Sequence, residues 1–216
     1  MVLKATARAA TRSGRLACSA AKGCAVWRIR VHGRGGQGVV TTAELLSIAA
    51  FRDGHEVQAF PSFGSERMGA PVTAYCRISD APIRTREPVT TTDVLLISDS
   101  TLLHQDDIFP GLTADGYVLV NSSRPWGVLG LEERLSGHRA DRLRTVPATL
   151  IARNATGRPV PNAPMIGAFA ALTGAVSLPA VEAALRERFA AEVAERNVHA
   201  ARAAYEFLRE EIPAHA

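Results

Sequence analysis

Cysteine is scarce. The 216 residues hold three, Cys18, Cys24 and Cys76, and no two of them form a CxxC pair. Three thiols supply neither a disulfide framework nor a structural zinc site, and they fall short of the thiolate set of an iron–sulfur cluster. A reducing, cytoplasmic compartment is therefore expected. Long apolar runs are missing as well: none approaches the roughly 18 to 20 residues of a membrane span, so a soluble chain without a span is expected. Aromatic residues are few, at 6%. With 47% apolar and 21% charged residues, the composition is that of a globular protein, which removes wholesale disorder, collagen-like repeats and coiled coil.

Acidic residues are absent before Glu44, whereas Lys4, Arg8, Arg12, Arg15, Lys22, Arg28, Arg30 and Arg34 precede it. The net charge of +4 is thus a property of the N-terminal part, because the remaining 17 basic residues face 21 acidic ones. A mildly acidic body gives no electrostatic case for binding nucleic acid. Residues 1–25 are rich in Ala, Arg, Ser and Thr. They read as a basic, disordered arm or as an extension from a start codon set too far upstream. Organellar targeting ranks behind these, and a partner-contacting arm ranks third. Residues 26–216 read as one folded domain.

Within that domain, Val26 to His32 alternates bulky apolar with basic residues and runs into Gly33, the pattern of a strand ending at a glycine loop. Val39 to Arg52 has helical spacing, with Gly54 placed for a left-handed C-terminal cap. Further strands are expected at Val57 to Phe60, stopped by Pro61, at Val72 to Ile78, in DVLLIS from Asp93 to Ser98, and at Tyr117 to Asn121 after the turn signal Asp115–Gly116. Arg142 to Ile151 reads as a strand interrupted by Pro147, and Asn154 to Pro164 as a loop. Met165 to Val176 is apolar nearly all round, the mark of a buried helix, and Ser177 with Pro179 opens a last helical region. The alternation predicts a single three-layer α/β domain around a central, mainly parallel sheet, with a glycine-rich first strand–helix turn.

Two loops carry the functional signal. GRGGQG, Gly33 to Gly38, has GxGxxG spacing between a strand and a helix, where glycines permit a tight turn and the helix N-terminus favours a phosphate or carboxylate. The acid that would read a dinucleotide ribose is misplaced: Asp53 and Glu56 lie before the second strand, and Pro61 and Ser62 lie after it. A packing turn without ligand is nearly as well supported by this motif alone. The second loop, FPSFGSERMGAP from Phe60 to Pro71, holds Ser62, Phe63, Gly64, Glu66, Arg67 and Gly69 where a plain turn would suffice. Both loops follow strands and are expected at one carboxyl edge, where Arg67 would hold an anion and Glu66 would orient it or form a surface ion pair.

The run from Ile29 to Ile83, with both loops, resembles the gamma subunit or gamma domain of the 2-oxoacid:ferredoxin oxidoreductases, the pyruvate type in particular. The likeness continues through DGYVLVNSS before Arg124, Pro125 and Trp126, through NAPMIGA from Asn162 to Ala168, and through the helix holding Asn197, so it covers all but the arm. The resemblance implies an α/β domain packed against thiamine-binding alpha and beta subunits and a ferredoxin-like delta subunit or domain, with ferredoxin as acceptor. It further implies thiamine diphosphate, Mg2+ and 4Fe–4S clusters in those partners and a coenzyme A contact on the gamma side. Gly33, Arg34, Gly35, Gly36, Gln37, Gly38, Ser62, Phe63, Gly64, Glu66, Arg67, Gly69 and Asn162 are its cofactor-binding or interface candidates. The GDG-to-paired-asparagine signature of the thiamine site is absent, and Asp115–Gly116 lies too close to Asn121 to replace it.

Other residues read more plainly. His32 is expected to pack or hydrogen-bond beneath the glycine loop, because no nucleophile stands beside it for activation. His55, His104, His138, His199 and His215 lack metal-ligand spacing. Cys76 reads as a small buried apolar group, Trp126 as an anchor for a neighbouring chain, and Asn162 with Gly167 as either an interface or a helix entry. Three functions compete: a gamma subunit contributing to a composite site, a stand-alone nucleotide-binding oxidoreductase, and a structural assembly module.

Overall fold

The computed structural model describes residues 26–62, 69–85, 87, 89–105 and 108–211. The arm at 1–25 and the second loop's Phe63, Gly64, Glu66 and Arg67 lie outside them.

Strand β1 (Val26–Arg34) alternates as its sequence requires: Ile29 and Val31 are fully buried on one face, and the basic side chains take the other. Helix α1 (Val39–Arg52) follows, and Gly54 just beyond it has φ +89°. Then come β2 (Glu56–Ser62), β3 (Pro71–Ser79), β4 (Thr92–Ile97), β5 (Leu112–Asn121) and β6 (Leu143–Val146). Helices α2 (Ala148–Thr156), α3 (Asn162–Thr173), α4 (Leu178–Arg188) and α5 (Ala191–Glu211) complete the domain.

The sheet order is β2-β3-β1-β4-β5-β6. Strands β1, β4, β5 and β6 are parallel, while β3 is antiparallel to both β1 and β2. Two reversals leave β2 running with β1, so the ends of both strands reach the same edge.

The helices pack together on one sheet face around Leu45, Leu46, Phe169, Val181 and Leu208, against Ile29, Val31, Cys76, Leu96 and Leu119. Across β4, β5 and β6 the opposite face buries Leu95, Ile97, Val118, Val120 and Leu143 under irregular segments that include Leu102, Ile108, Leu131 and Leu135. This third layer is built of turns and short 3-10 segments at Ser100–Leu102 and Trp126–Val128. No helix among the described residues is long and apolar enough to cross a membrane.

Several boundaries differ from the sequence expectation. Pro61 does not stop β2: it pairs opposite Ala74, because β2 is an edge strand on which a missing N–H is tolerated. Asp115–Gly116 lies within β5, at a register shift, so the turn signal marks a bulge. Pro147 ends β6 and serves as the N-cap of α2, so Arg142 to Ile151 is half strand and half helix. The expected loop from Asn154 shrinks accordingly, and α3 begins at Asn162.

Helix α3 is buried on nearly every side, as its unbroken apolar sequence requires. Gly167 sits where it meets α5: a Cβ there would stand 2.0 Å from the Ala201 carbonyl oxygen. Gly167 is therefore a close-packing residue inside the domain.

Candidate functional site at the carboxyl edge

The glycine loop is a turn that only this composition forms without strain. Gly36 and Gly38 take φ of +93° and +74°, and Gly38 is the left-handed N-cap of α1. Gly33 answers a different need, since a Cβ there would fall 2.6 Å from Val39 Cγ2 and 3.1 Å from Ser98 Cβ. Beyond the turn, the first N–H groups of α1 have no acceptor within the helix and form its positive end.

Three contacts hold the loop in shape. The Arg34 N–H donates to Gln37 Oε1 at 2.7 Å, Gln37 Nε2 donates to Asp99 Oδ2 at 2.9 Å, and the Gln37 N–H closes the turn on the Arg34 carbonyl at 3.0 Å. Asp99 follows the buried strand β4 and receives more: Arg34 Nε at 3.1 Å, the Thr101 N–H at 2.9 Å and Thr101 Oγ1 at 2.6 Å. Burial would raise its carboxyl pKa, but the Thr101 hydroxyl and N–H, the Gln37 amide and the Arg34 charge together hold it below the usual carboxylate range.

The second loop returns beside the first. The Gly35 N–H donates to the Ala70 carbonyl at 2.9 Å and the Gly69 N–H to the Gly35 carbonyl at 3.3 Å, which extends the β1–β3 ladder into the loops. Arg34 Nη1 adds a bond to the Gly69 carbonyl at 3.1 Å. The expected shared edge is thus present, and the antiparallel strand β3 is what brings the loops together. Ser62 ends β2 opposite Thr73.

Asn162 joins from the helical side. A Cβ on Gly38 would stand 3.2 Å from its Nδ2, and its Oδ1 accepts the Ala163 N–H at 2.8 Å, so the N-termini of α1 and α3 meet at the loop. Asn121 supports the same edge from β5. Its Nδ2 donates to the Ser98 carbonyl at 2.8 Å and to Thr149 Oγ1 at 2.7 Å, while its Oδ1 accepts the Thr149 N–H at 3.0 Å. In this way Asn121 caps α2, whose own N-cap is Pro147 and makes no side-chain cap.

Of the sequence candidates, the structure gathers Gly33 through Gly38, Gly69 and Asn162, and adds Asp99, Thr101 and Asn121. A carboxylate two residues past a buried apolar strand is the signal that could have found Asp99. His32 is buried, with Nδ1 3.4 Å from Thr73 Oγ1, in agreement with a packing role beneath the loop. Asp53 lies beyond the far end of α1 and is spent on α4, accepting the Ser177 N–H at 2.6 Å and its hydroxyl at 2.7 Å. It does not reach the glycine loop as a ribose reader would.

Cys76 is fully buried in β3, and burial pushes its thiol up to about 12, which keeps it protonated. No group of three or more His, Cys, Asp or Glu side chains that could hold a metal occurs among the described residues. The described side chains therefore do not fit an iron–sulfur cluster.

Comparison with known proteins agrees with this architecture. Residues 28–207 match the family described as pyruvate ferredoxin/flavodoxin oxidoreductase. The chain is 45% identical over 181 residues to pyruvate synthase subunit PorC of Methanothermobacter marburgensis, covering 84% of this chain and 97% of that one. It is 44% identical over 180 residues to the pyruvate/ketoisovalerate oxidoreductases common subunit gamma of Pyrococcus abyssi, covering 82% and 95%. Among solved structures, pyruvate oxidoreductase subunit PORC of Thermotoga maritima superposes with a TM-score of 0.72 at 36% identity, covering 84% of this chain and 96% of that one. The family match and these similarities lead to one conclusion: the chain belongs to the pyruvate ferredoxin/flavodoxin oxidoreductase family.

Proposed function

We propose that this chain is the gamma subunit of a multi-subunit 2-oxoacid:ferredoxin oxidoreductase that oxidatively decarboxylates a 2-oxoacid such as pyruvate and forms acyl-CoA and CO2. The observation that carries this reading is length: the chain spans nearly the whole of relatives that are themselves separate subunits. Thiamine diphosphate and Mg2+ would be held by alpha and beta subunits, and the iron–sulfur clusters by a ferredoxin-like delta subunit or domain, with ferredoxin as acceptor. Bound in its partner, thiamine diphosphate supplies the carbanion chemistry.

This chain's own part is positioning. The N-terminus of α1, presented by the turn from Gly33 to Gly38, and Arg67 would orient an anionic group of coenzyme A or the neighbouring subunit at a composite site. Ser62, Phe63, Gly64, Glu66, Gly69 and Asn162 would complete that wall.

Reconstitution tests the proposal. The purified chain, its co-expressed neighbours and the complete assembly are each assayed for acyl-CoA formation from pyruvate and coenzyme A with ferredoxin. Turnover is expected from the complete assembly alone. Full turnover by the neighbours without this chain, or by this chain alone, would overturn it.

A further inference from the structure

The GxGxxG motif places Arg34 in a loop suited to anions, and an arginine there is ordinarily read as an anion ligand. Its guanidinium is otherwise engaged. Nε donates to Asp99 Oδ2 at 3.1 Å, Nη2 to Thr101 Oγ1 at 2.9 Å, and Nη1 to the Gly69 carbonyl at 3.1 Å. These acceptors belong to different segments: Asp99 and Thr101 follow β4, and Gly69 precedes β3. Asp99 in turn orients Gln37, whose amide carries the Arg34 N–H. The Arg34 and Asp99 side chains are 34% and 14% exposed, so the pair is only partly screened by solvent.

We infer that Arg34 and Asp99 are positioning residues: a clip that joins the glycine loop, the end of β4 and the return of the second loop into one preassembled edge before any partner or substrate arrives. The inference deepens the gamma-subunit reading, since that edge is the wall offered to the composite site. Chemistry favours arginine in this place. One planar fork reaches three separated acceptors, whereas a lysine ammonium offers its donors from a single nitrogen. Preassembly matters because an edge ordered only on association would lose part of the binding free energy to ordering.

Hydrogen exchange on the full-length chain reads the clip directly through the Gly35 and Gly69 amides, which close the ladder between the loops. In R34A and in D99A these two amides should exchange roughly tenfold faster or more, the consequence of losing a charge-assisted hydrogen bond. The amides of α5, which packs on α2, α3 and α4, should keep their protection. R34K should exchange like R34A, and D99N, which retains one acceptor, should fall between D99A and the unmodified chain.

In the reconstituted complex, R34A should raise KM for coenzyme A by about tenfold while kcat stays within about twofold, the pattern of lost ground-state positioning. Equal acceleration at all amides, or full rescue by R34K, would overturn the clip and leave a general stability role. Unchanged exchange at Gly35 and Gly69 in either R34A or D99A would overturn it as well. Failure of the unmodified chain to assemble or support turnover would instead count against the gamma-subunit reading, because the exchange experiment does not depend on partners.

Discussion

Gly38 and Asn162 meet across the start of two helices: Gly38 turns into α1 with φ +74°, and a Cβ on it would lie 3.2 Å from the Asn162 amide nitrogen. Gly38→Ala combines left-handed strain with a tight contact. It should destabilise the domain by about 1–2 kcal/mol, seen as a lower urea midpoint with an unchanged slope. Asn162→Ala in the G38A background relieves the contact but not the strain, so only part of the loss should return.

Gly167 tests the helical layer. Its missing Cβ lets α3 approach the Ala201 carbonyl, and alanine would force the two backbones apart. Gly167→Ala should cost about 1–3 kcal/mol by thermal or urea unfolding, the usual range for overpacking. A neutral result would mean that α3 slides along α5 without loss.

The acid limb of stability should carry the Asp99 signature. Its folded-state pKa lies below the unfolded one, so the stabilisation is present above about pH 4 and is lost as pH falls through the folded value. Asp99→Asn removes this dependence. Between about pH 5 and pH 2 the unmodified chain should lose more stability than D99N, measured as the change in urea midpoint.

Cys76 should be chemically silent in the folded chain. With its thiol pushed up to about 12 and no exposure, a C18S/C24S variant should resist maleimide at neutral pH and react fully once unfolded in guanidinium. Rapid labelling of the native variant would show that β3 opens locally.

Asn121 serves β4, β5 and α2 at once. Asn121→Ala should cost about 1–3 kcal/mol, because partly buried groups lose their bonds. Asn121→Asp keeps the cap on Thr149 but sets a carboxylate against the Ser98 carbonyl, and should not restore stability.

Legibility in the sequence followed the range of the interactions. The bounds of α1 and the left-handed Gly54 were readable, since periodicity and a glycine stop are local signals. Residues 142–151 divide differently from the sequence expectation because a short run of this kind does not distinguish a strand plus helix entry from one strand, and Pro147 suits both. The glycine loop is recognisable as a candidate and Asp99 as a carboxylate past a buried strand, but not their pairing: Asp99 stands 65 residues from Arg34, and nothing near it in the chain announces the partner.

By itself, the amino-acid sequence determined that this is one α/β domain with two unusual loops and too few thiols to carry a cluster, because those properties depend on composition, periodicity and local backbone chemistry. Only the tertiary structure decided that β3 is inserted antiparallel between β1 and β2, that Arg34 is a strut held by Asp99, and that Gly167 is a helix contact. Each of these is a meeting of segments distant along the chain, selected by which faces must be buried together and which charges must be paired.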